Sequence, residues 1–441
     1  MAFSAPSFTL TNALNVRTNG GFLATIENQN ASGTLTLSGL SDKLALSAVS
    51  GGALTANSAI SGSGELLKVG AGTVTLSGAN THSGMNTLSG GVLLLGNDSA
   101  LGSNKLLIDF NDATAKTLAA SGSATRTIAN NLEIYNDLTL GQASVNTGSL
   151  ILNGAVALGN EANLTRQITV ADGTSHTFGG VISGLRGIVK KGTGTLTLGG
   201  NNTFSGANYL VEGTTLLTSA TGAGTGIQYL GETSGSGSAT LAVGGSGLTV
   251  GNAITVRTGS SGTKKIDAVN TTGTTTLSGN LTLDAGATLA ATNGGGLNLG
   301  GSTLTFGNTM ILAVTNSSDV SIGNQLVTSG DALIAKRGTG TLILTNGSNY
   351  GDMRYDLYEG KLQVGAIGNL GQASTYKGNK LYFNGGTLKI TDNLDLAANN
   401  GISLGAGGGT IEVDSGKVLT VREYISDGSA TGVSFFKTGA G

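Results

Sequence analysis

The most constraining feature of this 441-residue sequence is a short block in which aliphatic residues alternate with threonine, serine or asparagine. Thr34–Leu37 and Thr195–Leu198 both read T-L-T-L, and Thr341–Leu344 reads T-L-I-L. Alternation with a period of two is typical of a strand with one buried face, and the glycine or asparagine that ends each block marks a turn. Helical periodicity is interrupted in almost every window, so the chain is predicted to be all-β.

The length of one turn can be read near the carboxyl end, where the blocks come in two sets of three. Leu381 matches Ile402 across the sets, a sequence step of 402 − 381 = 21, and Leu388 matches Ile411, a step of 411 − 388 = 23. A repeat of about 22 residues with three short strands is typical of a solenoid with parallel pairing between turns. The sequence therefore predicts a right-handed parallel β-helix of about 20 turns, with both leucines of each T-L-x-L block facing inward.

Composition limits the partners and sites that this fold can carry. Charged residues are 11% of the chain and the net charge is -2, which excludes a broad basic surface and predicts no nucleic-acid partner. There is no cysteine, so disulfides and thiolate metal sites are excluded. No stretch is apolar enough for a transmembrane helix, and residues 1–10 lack the pattern of an export signal, so neither is predicted in this chain.

A rarer motif is superimposed on the turns: lysine, any residue, glycine, any residue, glycine. It begins at Lys68, Lys190, Lys336 and Lys437, with sequence separations of 190 − 68 = 122, 336 − 190 = 146 and 437 − 336 = 101. The paired glycines permit positive φ and close backbone approach at a corner, after which T-L-x-L resumes the strand. The lysines are expected to project outward, and the uneven separations indicate modules placed among variable turns.

The residues around the first two copies extend this motif. Residues 61–84 read SGSGELLKVGAGTVTLSGANTHSG, and residues 179–206 read GGVISGLRGIVKKGTGTLTLGGNNTFSG. They closely resemble the passenger-associated repeat of autotransporter proteins, in which K-x-G-x-G-T-L-x-L leads to N-x-x-S/T-G and G-G-x-L-x-L-G. The third copy departs after Leu344, where 349–351 compress the N-T-F-S-G element. The resemblance implies a right-handed β-helix outside the bacterial cell, with adhesive or spacer duties and no active site.

The sequence is divided on this basis into two parts. Residues 1–60 are interpreted as N-terminal turns that can include a cap, and residues 61–441 as a continuous β-helix containing the repeats. The last copy, 436–441, stops where the others proceed into T-L-x-L, so the carboxyl end is interpreted as an interrupted turn. Such an end exposes unpaired strand groups and is expected to be covered by further turns or by end-to-end association.

Residues that could support catalysis or bind a metal are few. His82 and His176 are the two histidines, which excludes a three-histidine metal site, and His82 stands where the second repeat has Phe204. Both histidines are expected to be packing or surface residues. The G-x-S-x-G match at 401–405 is followed by three glycines at 407–409, where no helix can begin, so it is interpreted as an ordinary strand.

Two pairs of carboxylates could in principle act on a polysaccharide. They are Asp109 with Asp112, and Asp352 with Asp356. Aspartate is also an ordinary turn residue because it hydrogen-bonds its own backbone. No phosphate-binding loop and no calcium loop is present. We therefore predict no catalytic, cofactor or metal site and no enzymatic activity.

Aromatic residues are concentrated late in the chain, within about one and a half turns. We interpret five tyrosines as a possible sugar-stacking or protein-docking strip; the alternative is that some of them fill corners of the core. The residues of this strip are Tyr350, Tyr355, Tyr358, Tyr376 and Tyr382.

The favoured function is a non-catalytic structural or adhesive stalk of a bacterial surface protein, located outside the cell. Two alternatives stay open: a self-associating subunit of an extracellular fibre, and a polysaccharide-active β-helix enzyme. The expected partners are copies of the same chain, end to end or side by side, and a host or matrix polysaccharide or protein.

Overall fold

A computed structural model describes most of the chain, with side-chain surroundings from residue 44 onward except at 377 and 378. The described residues are 2–3, 7–9, 24–28, 34–37, 44–57, 59–110, 112–307, 311–328, 330–371, 377–396, 399–428 and 432–441. Within them the structure is all-β, and the one helix is the 3-10 turn Ile367–Leu370. The all-β prediction is confirmed.

Every pair of named strands in the described residues is parallel, and the strands wind into a β-solenoid of about 16 turns. The predicted parallel β-helix is confirmed, while its right-handed sense stays a prediction. The number of turns is lower than the predicted 20, and the turns vary in length. Leu66 pairs with Asn86, a sequence step of 86 − 66 = 20, but Val156 pairs with Ile182, a step of 182 − 156 = 26.

The chain divides into two compact units. Unit 1 contains residues 1–215 and 221–226, and unit 2 contains residues 216–220 and 227–441. Strand Gly213–Leu217 contains the point of division. The sequence-based boundary at residue 60 and the continuity of 61–441 stay predictions.

Unit 1 has three sheets, named 1a, 1b and 1c in the order in which the chain visits them in one turn. Sheet 1a contains Ala2–Phe3, Ala24–Asn28, Leu44–Ala48, Leu66–Val69, Asn86–Leu88, Leu106–Ile108, Leu132–Ile134, Val156–Ala157 and Ile182–Ser183. Sheet 1b contains Ser7–Thr9, Thr34–Leu37, Ala53–Ala56, Thr73–Leu76, Gly91–Leu95, Lys116–Ala120, Leu138–Leu140, Thr165–Val170, Gly187–Lys191 and Asn208–Leu210. Sheet 1c contains Arg126–Ile128, Leu150–Leu152, Ser175–Phe178 and Thr195–Leu198.

Unit 2 is described in the same way, with sheets 2a, 2b and 2c. Sheet 2a contains Gln228–Leu230, Ile254–Val256, Leu281–Leu283, Thr303–Phe306 and Gln325–Thr328. Sheet 2b contains Ala239–Val243, Lys264–Ala268, Ala287–Ala291, Ile311–Asn316, Ala332–Arg337, Met353–Leu357, Lys377–Phe383, Asn400–Leu404 and Ile425–Ser426. Sheet 2c contains Thr249–Val250, Thr274–Leu277, Gly296–Leu299, Val320–Ile322, Thr341–Leu344, Lys361–Val364, Thr387–Ile390, Gly409–Val413 and Phe435–Thr438, and a further pair is Leu394–Leu396 with Leu419–Val421.

The register read from the sequence is the register of the structure. Leu381 pairs with Ile402 in sheet 2b, and Leu388 pairs with Ile411 in sheet 2c. These are the two sequence steps from which the turn length was inferred. Block matching therefore located the partners of strands that are far apart in the sequence.

The core consists of inward-facing aliphatic columns. Leu196 and Leu198 are 0% and 2% exposed, and Leu342 and Leu344 have the same values, so the predicted inward leucines of T-L-x-L are confirmed. Burial of each contributes about 2 kcal/mol. The side chain of Leu35, predicted to face the same way, lies outside the described residues.

Candidate functional site

Three of the four lysines of the K-x-G-x-G motif point into the core. Lys68 and Lys336 are 0% exposed and Lys190 is 2% exposed, so the expectation that they project outward is wrong. Each occupies an inward position of its strand, and the residue aligned with it in both neighbouring turns is aliphatic. These neighbours are Leu46 and Leu88 for Lys68, Ile168 and Leu210 for Lys190, and Val314 and Leu357 for Lys336.

Each ammonium group is satisfied by backbone carbonyls at a corner, meaning the turn between two consecutive strands. Lys190 Nζ donates to the carbonyls of Lys191 at 2.9 Å, Gly192 at 2.6 Å and Glu212 at 2.9 Å. The first two acceptors belong to its own turn and the third to the following turn. We call this arrangement a lysine staple, because one charged group fastens two successive turns.

The same staple recurs in the other two internal copies. Lys68 Nζ donates to the carbonyls of Val69 at 2.8 Å, Gly70 at 2.7 Å and Gly90 at 2.8 Å. Lys336 Nζ donates to those of Arg337 at 2.9 Å, Gly338 at 2.6 Å and Glu359 at 3.3 Å. The long alkyl chain of lysine lets one residue fill a core position and carry its charge to the corner.

The first glycine of the motif makes this corner possible. Gly192 has φ of +72°, and a Cβ at this position would lie 2.2 Å from the carbonyl oxygen of Val170. A side chain is therefore excluded both by backbone conformation and by space. Close approach of the glycine brings its carbonyl within reach of the ammonium group.

A carboxylate from the following turn completes two of the three staples. Glu212 Oε2 accepts a hydrogen bond from Gly192 N at 3.1 Å, and Glu359 Oε2 accepts one from Gly338 N at 2.8 Å. In the first copy the corresponding residue is Gly90, which supplies its carbonyl alone. Burial lowers the pKa of Lys68, Lys190 and Lys336 to about 8, against a smaller rise from a nearby carboxylate in each case.

A buried asparagine follows each of these lysines and bridges three turns. Asn202 Oδ1 accepts from Ile182 N at 2.7 Å, and its Nδ2 donates to the Gly222 carbonyl at 2.7 Å. Asn80 makes the same pair of bonds, with Ile60 N at 2.7 Å and the Ala100 carbonyl at 2.5 Å.

The third copy keeps this bridge in spite of its compressed sequence. Asn349 Oδ1 accepts from Leu326 N at 2.8 Å, and its Nδ2 donates to the Asn369 carbonyl at 2.7 Å. The carboxamide therefore has the same role in all three copies.

In the fourth copy, Lys437 is exposed and donates to the carbonyls of Gly439, at 3.0 Å, and Gly441.

His82 is a core residue, as the match with Phe204 indicated. His82 is 1% exposed and Phe204 0%, and each packs against a positive-φ glycine, Gly102 and Gly224 respectively. His82 Nε2 lies 2.8 Å from Asn86 Oδ1. The expected packing role is the one observed, and neither histidine lies on the surface.

His176 links two turns as a neutral ring. Its Nδ1 accepts from Leu150 N at 3.0 Å, so the ring proton is on Nε2, which lies 3.1 Å from Thr174 Oγ1. The Thr174 hydroxyl in turn donates to the Ala171 carbonyl at 2.7 Å. Burial lowers the pKa of His176 to about 4.

Acid is therefore expected to destabilise the chain through His176. Between pH 6.5 and about 4 the unfolded chain binds the proton and the folded chain does not, so the free energy of unfolding falls as the pH falls through this window. The full loss is about 3 kcal/mol. Urea denaturation at pH 7, 5.5 and 4 should show this loss relative to His176→Gln, which cannot titrate; an unchanged difference between the two chains would contradict it.

Three of the four carboxylates in the two predicted pairs make structural contacts, and the fourth, Asp352, lines a cavity described below. Asp109 is buried and accepts from Ser89 Oγ at 3.0 Å, and Asp112 accepts from Thr114 N at 2.7 Å. Asp356 is buried in an ion pair with Arg354, with Nε to Oδ1 at 2.6 Å. Ser403 of the G-x-S-x-G match lies within strand Asn400–Leu404, where the sequence placed it.

The five predicted binding tyrosines do not form one exposed strip. Tyr355 is 0% exposed and belongs to the core, where burial raises the pKa of its phenol, so its assignment to a surface strip is wrong. Tyr376 lies outside the described residues. Tyr350 is 65% exposed, and Tyr358 and Tyr382 are half-buried.

Tyr358 and Tyr382 instead form a compact group with two arginines. Their ring centroids are 6.3 Å apart at an interplanar angle of 71°. The guanidinium of Arg337 lies 3.9 Å from the centre of the Tyr358 ring, and that of Arg354 lies 5.3 Å from the centre of the Tyr382 ring. We call these four residues the Arg–Tyr cluster.

A cavity of about 290 Å³ adjoins the cluster through Arg354. It is lined by Asp331, Ala332, Leu333, Asp352, Met353, Arg354, Asn379 and Lys380. Among the described residues, no group of three histidine or acidic side chains could hold a metal ion. In the same residues, no helix is long and apolar enough to cross a membrane.

The three buried lysines of the motif lie within the segments that match a known family. The passenger-associated-transport-repeat matches residues 66–95, 188–218 and 334–352. Together with the parallel β-solenoid, these repeats fit the passenger domain of an autotransporter. No curated protein and no solved structure gives a significant match to this chain.

Proposed function

We propose that this chain is a structural and adhesive segment of an autotransporter passenger, displayed as a stalk on the surface of a bacterial cell. The structural part of this proposal rests on the hydrogen-bond partners of the buried polar side chains. The lysines of three repeats, their asparagines and His176 direct their polar atoms to backbone groups of adjacent turns. Groups arranged in this way hold turns together and are not available to a substrate.

Surface display is testable on cells that produce the protein from its own gene. Antibodies against this chain should label intact cells, and external protease should remove the label while a cytoplasmic marker stays undigested. Labelling that requires permeabilised cells would overturn the proposal.

The adhesive part of the proposal is assigned to the Arg–Tyr cluster and the adjoining cavity. Half-buried tyrosine rings beside guanidinium groups, next to a cavity lined by both apolar and charged side chains, are suited to stacking against sugar rings of a matrix polysaccharide. Binding of the full chain to a polysaccharide array should fall at least about tenfold in Tyr358→Ala and Tyr382→Ala. Tyr424→Ala is the matched control, because Tyr424 is 81% exposed and belongs to neither the cluster nor the cavity lining. Equal binding by all four chains would overturn this assignment.

We further propose that the chain has no hydrolase or lyase activity. Asp356 is held by Arg354, and Asp109 and Asp112 each accept a structural hydrogen bond. A panel of polysaccharide and ester substrates should therefore show no turnover. Turnover that is abolished by Asp352→Asn or Asp356→Asn would establish the enzyme alternative instead.

A further inference from the structure

The separations between repeats are uneven in sequence but regular in turns. In unit 1, Lys68 lies in sheet 1a at strand Leu66–Val69. Five further strands of sheet 1a follow, ending at Ile182–Ser183, and the next strand is Gly187–Lys191 of sheet 1b, which holds Lys190. The chain between these two lysines therefore passes five times around the solenoid and then advances to the next sheet, a spacing that we call five turns plus one face.

Unit 2 has the same kind of spacing between its two lysines, although the second, Lys437, is exposed and, among the described residues, donates only to carbonyls of its own turn. Lys336 lies in sheet 2b at strand Ala332–Arg337, and four further strands of that sheet follow, ending at Ile425–Ser426. The next strand is Phe435–Thr438 of sheet 2c, which holds Lys437. The chain between these two lysines makes four turns plus one face.

The staples consequently fasten different corners. Lys68 fastens the corner between sheets 1a and 1b, because its acceptor Gly90 immediately precedes strand Gly91–Leu95. Lys190 fastens the corner between sheets 1b and 1c, because Glu212 immediately precedes Gly213–Leu217, the strand that stands next to Thr195–Leu198 in the order of sheet 1c. The corner advances by one position from one copy to the next.

We propose that this advance is a device of the fold: repeats placed at whole turns plus one face put successive lysines of the motif at successive corners, so that the staples of the chain do not all fasten the same corner. It rests on the stalk role proposed above. Sheets are joined by regular ladders of backbone hydrogen bonds, whereas corners are rich in glycine and bond less regularly, so separation of turns begins at the corners.

The asparagine bridges strengthen this arrangement within each copy. The sequence step from lysine to asparagine is 80 − 68 = 12 in the first copy, 202 − 190 = 12 in the second and 349 − 336 = 13 in the third. Each bridge therefore lies about half a turn from its staple and fastens the opposite side of the same turn. Each repeat therefore fastens its turn at two places, the staple and the bridge. The next copy fastens another turn at two places that lie one sheet further around the solenoid.

Hydrogen exchange on the full chain, read by mass spectrometry, tests the proposal. Lys190→Met should raise exchange about tenfold at the corner amides 191–195 and 211–214 and leave 69–73 and 89–91 unchanged, whereas Lys68→Met should do the reverse. Lys191→Met is the control, because Lys191 is exposed in the same corner. The double variant should combine the two local effects, because the staples share no corner.

A comparison within the unmodified chain keeps the test valid if a variant does not fold. Amides at the stapled corner after Leu66–Val69 should exchange more slowly than those at the corner after Leu132–Ile134, where the aligned residue is Ile134 in place of lysine. Equal exchange at these corners, or a single substitution that opens both stapled corners equally, would overturn the proposal. Surface labelling of cells would be unaffected by either result, so failure here is distinguishable from failure of the proposed function.

Discussion

Replacement of Lys190 by alanine is expected to lower the free energy of unfolding by about 3–5 kcal/mol. The substitution removes a buried alkyl chain from between Ile168 and Leu210, and it removes the donor from three carbonyls. Urea denaturation of the two chains measures the difference. Lys191→Ala removes an exposed lysine one residue away and should change stability by less than about 0.5 kcal/mol. Equal effects of the two substitutions would contradict the staple.

The pH dependence of the staple has a definite sign. Lys190 has a pKa of about 8 in the folded chain and 10.5 when unperturbed, so between these values the unfolded chain binds more protons. The free energy of unfolding should therefore rise with pH across this window, by up to about 3 kcal/mol, relative to Lys190→Met. Below pH 8 the difference in the free energy of unfolding between the two chains should not change with pH. A difference that falls between pH 8 and 10.5 would show that the carbonyls hold the charged form more strongly than burial opposes it.

Replacement of Asn202 by leucine is expected to have the second large effect, a loss of about 2–5 kcal/mol. Leucine has a similar volume, but it leaves Ile182 N and the Gly222 carbonyl, which lie in different turns, without their partner. Thr203→Ala, at the exposed neighbouring position, is the control. The measurement is again urea denaturation. Loss of less than about 0.5 kcal/mol would show that water replaces the carboxamide at this site.

The buried lysines could have been recognised from the sequence by extending the same alternation that located the leucines. Lys68 stands two residues after Leu66, and Lys190 two residues after Ile188, so both share the inward parity of their strands. The alternation therefore predicts buried lysines, whereas the general rule that lysine is a surface residue predicts exposed ones. That rule fails here because three carbonyls converge on each ammonium group, and their convergence depends on the following turn.

The tyrosine strip was misassigned for a related reason. Proximity in the sequence grouped Tyr355 with Tyr358, but alternation places Tyr355 inward, between Met353 and Leu357. Tyr358 lies beyond the end of that strand and stacks instead with Arg337 from the preceding turn. Contacts between turns, and not neighbours along the chain, decide which aromatic rings are exposed in a solenoid.

The sequence by itself determined the class of fold, the parallel pairing and the register of the last turns, because a period of two and a repeat of about 22 residues are local properties of the chain. It also determined which leucines face inward. Only the tertiary structure decided where each lysine places its charge, which tyrosines are exposed and on which corner each repeat lies. Those properties depend on how variable turn lengths add up over many turns, because each loop insertion changes the relation between sequence number and position around the solenoid while the strands stay stacked in the same sheets.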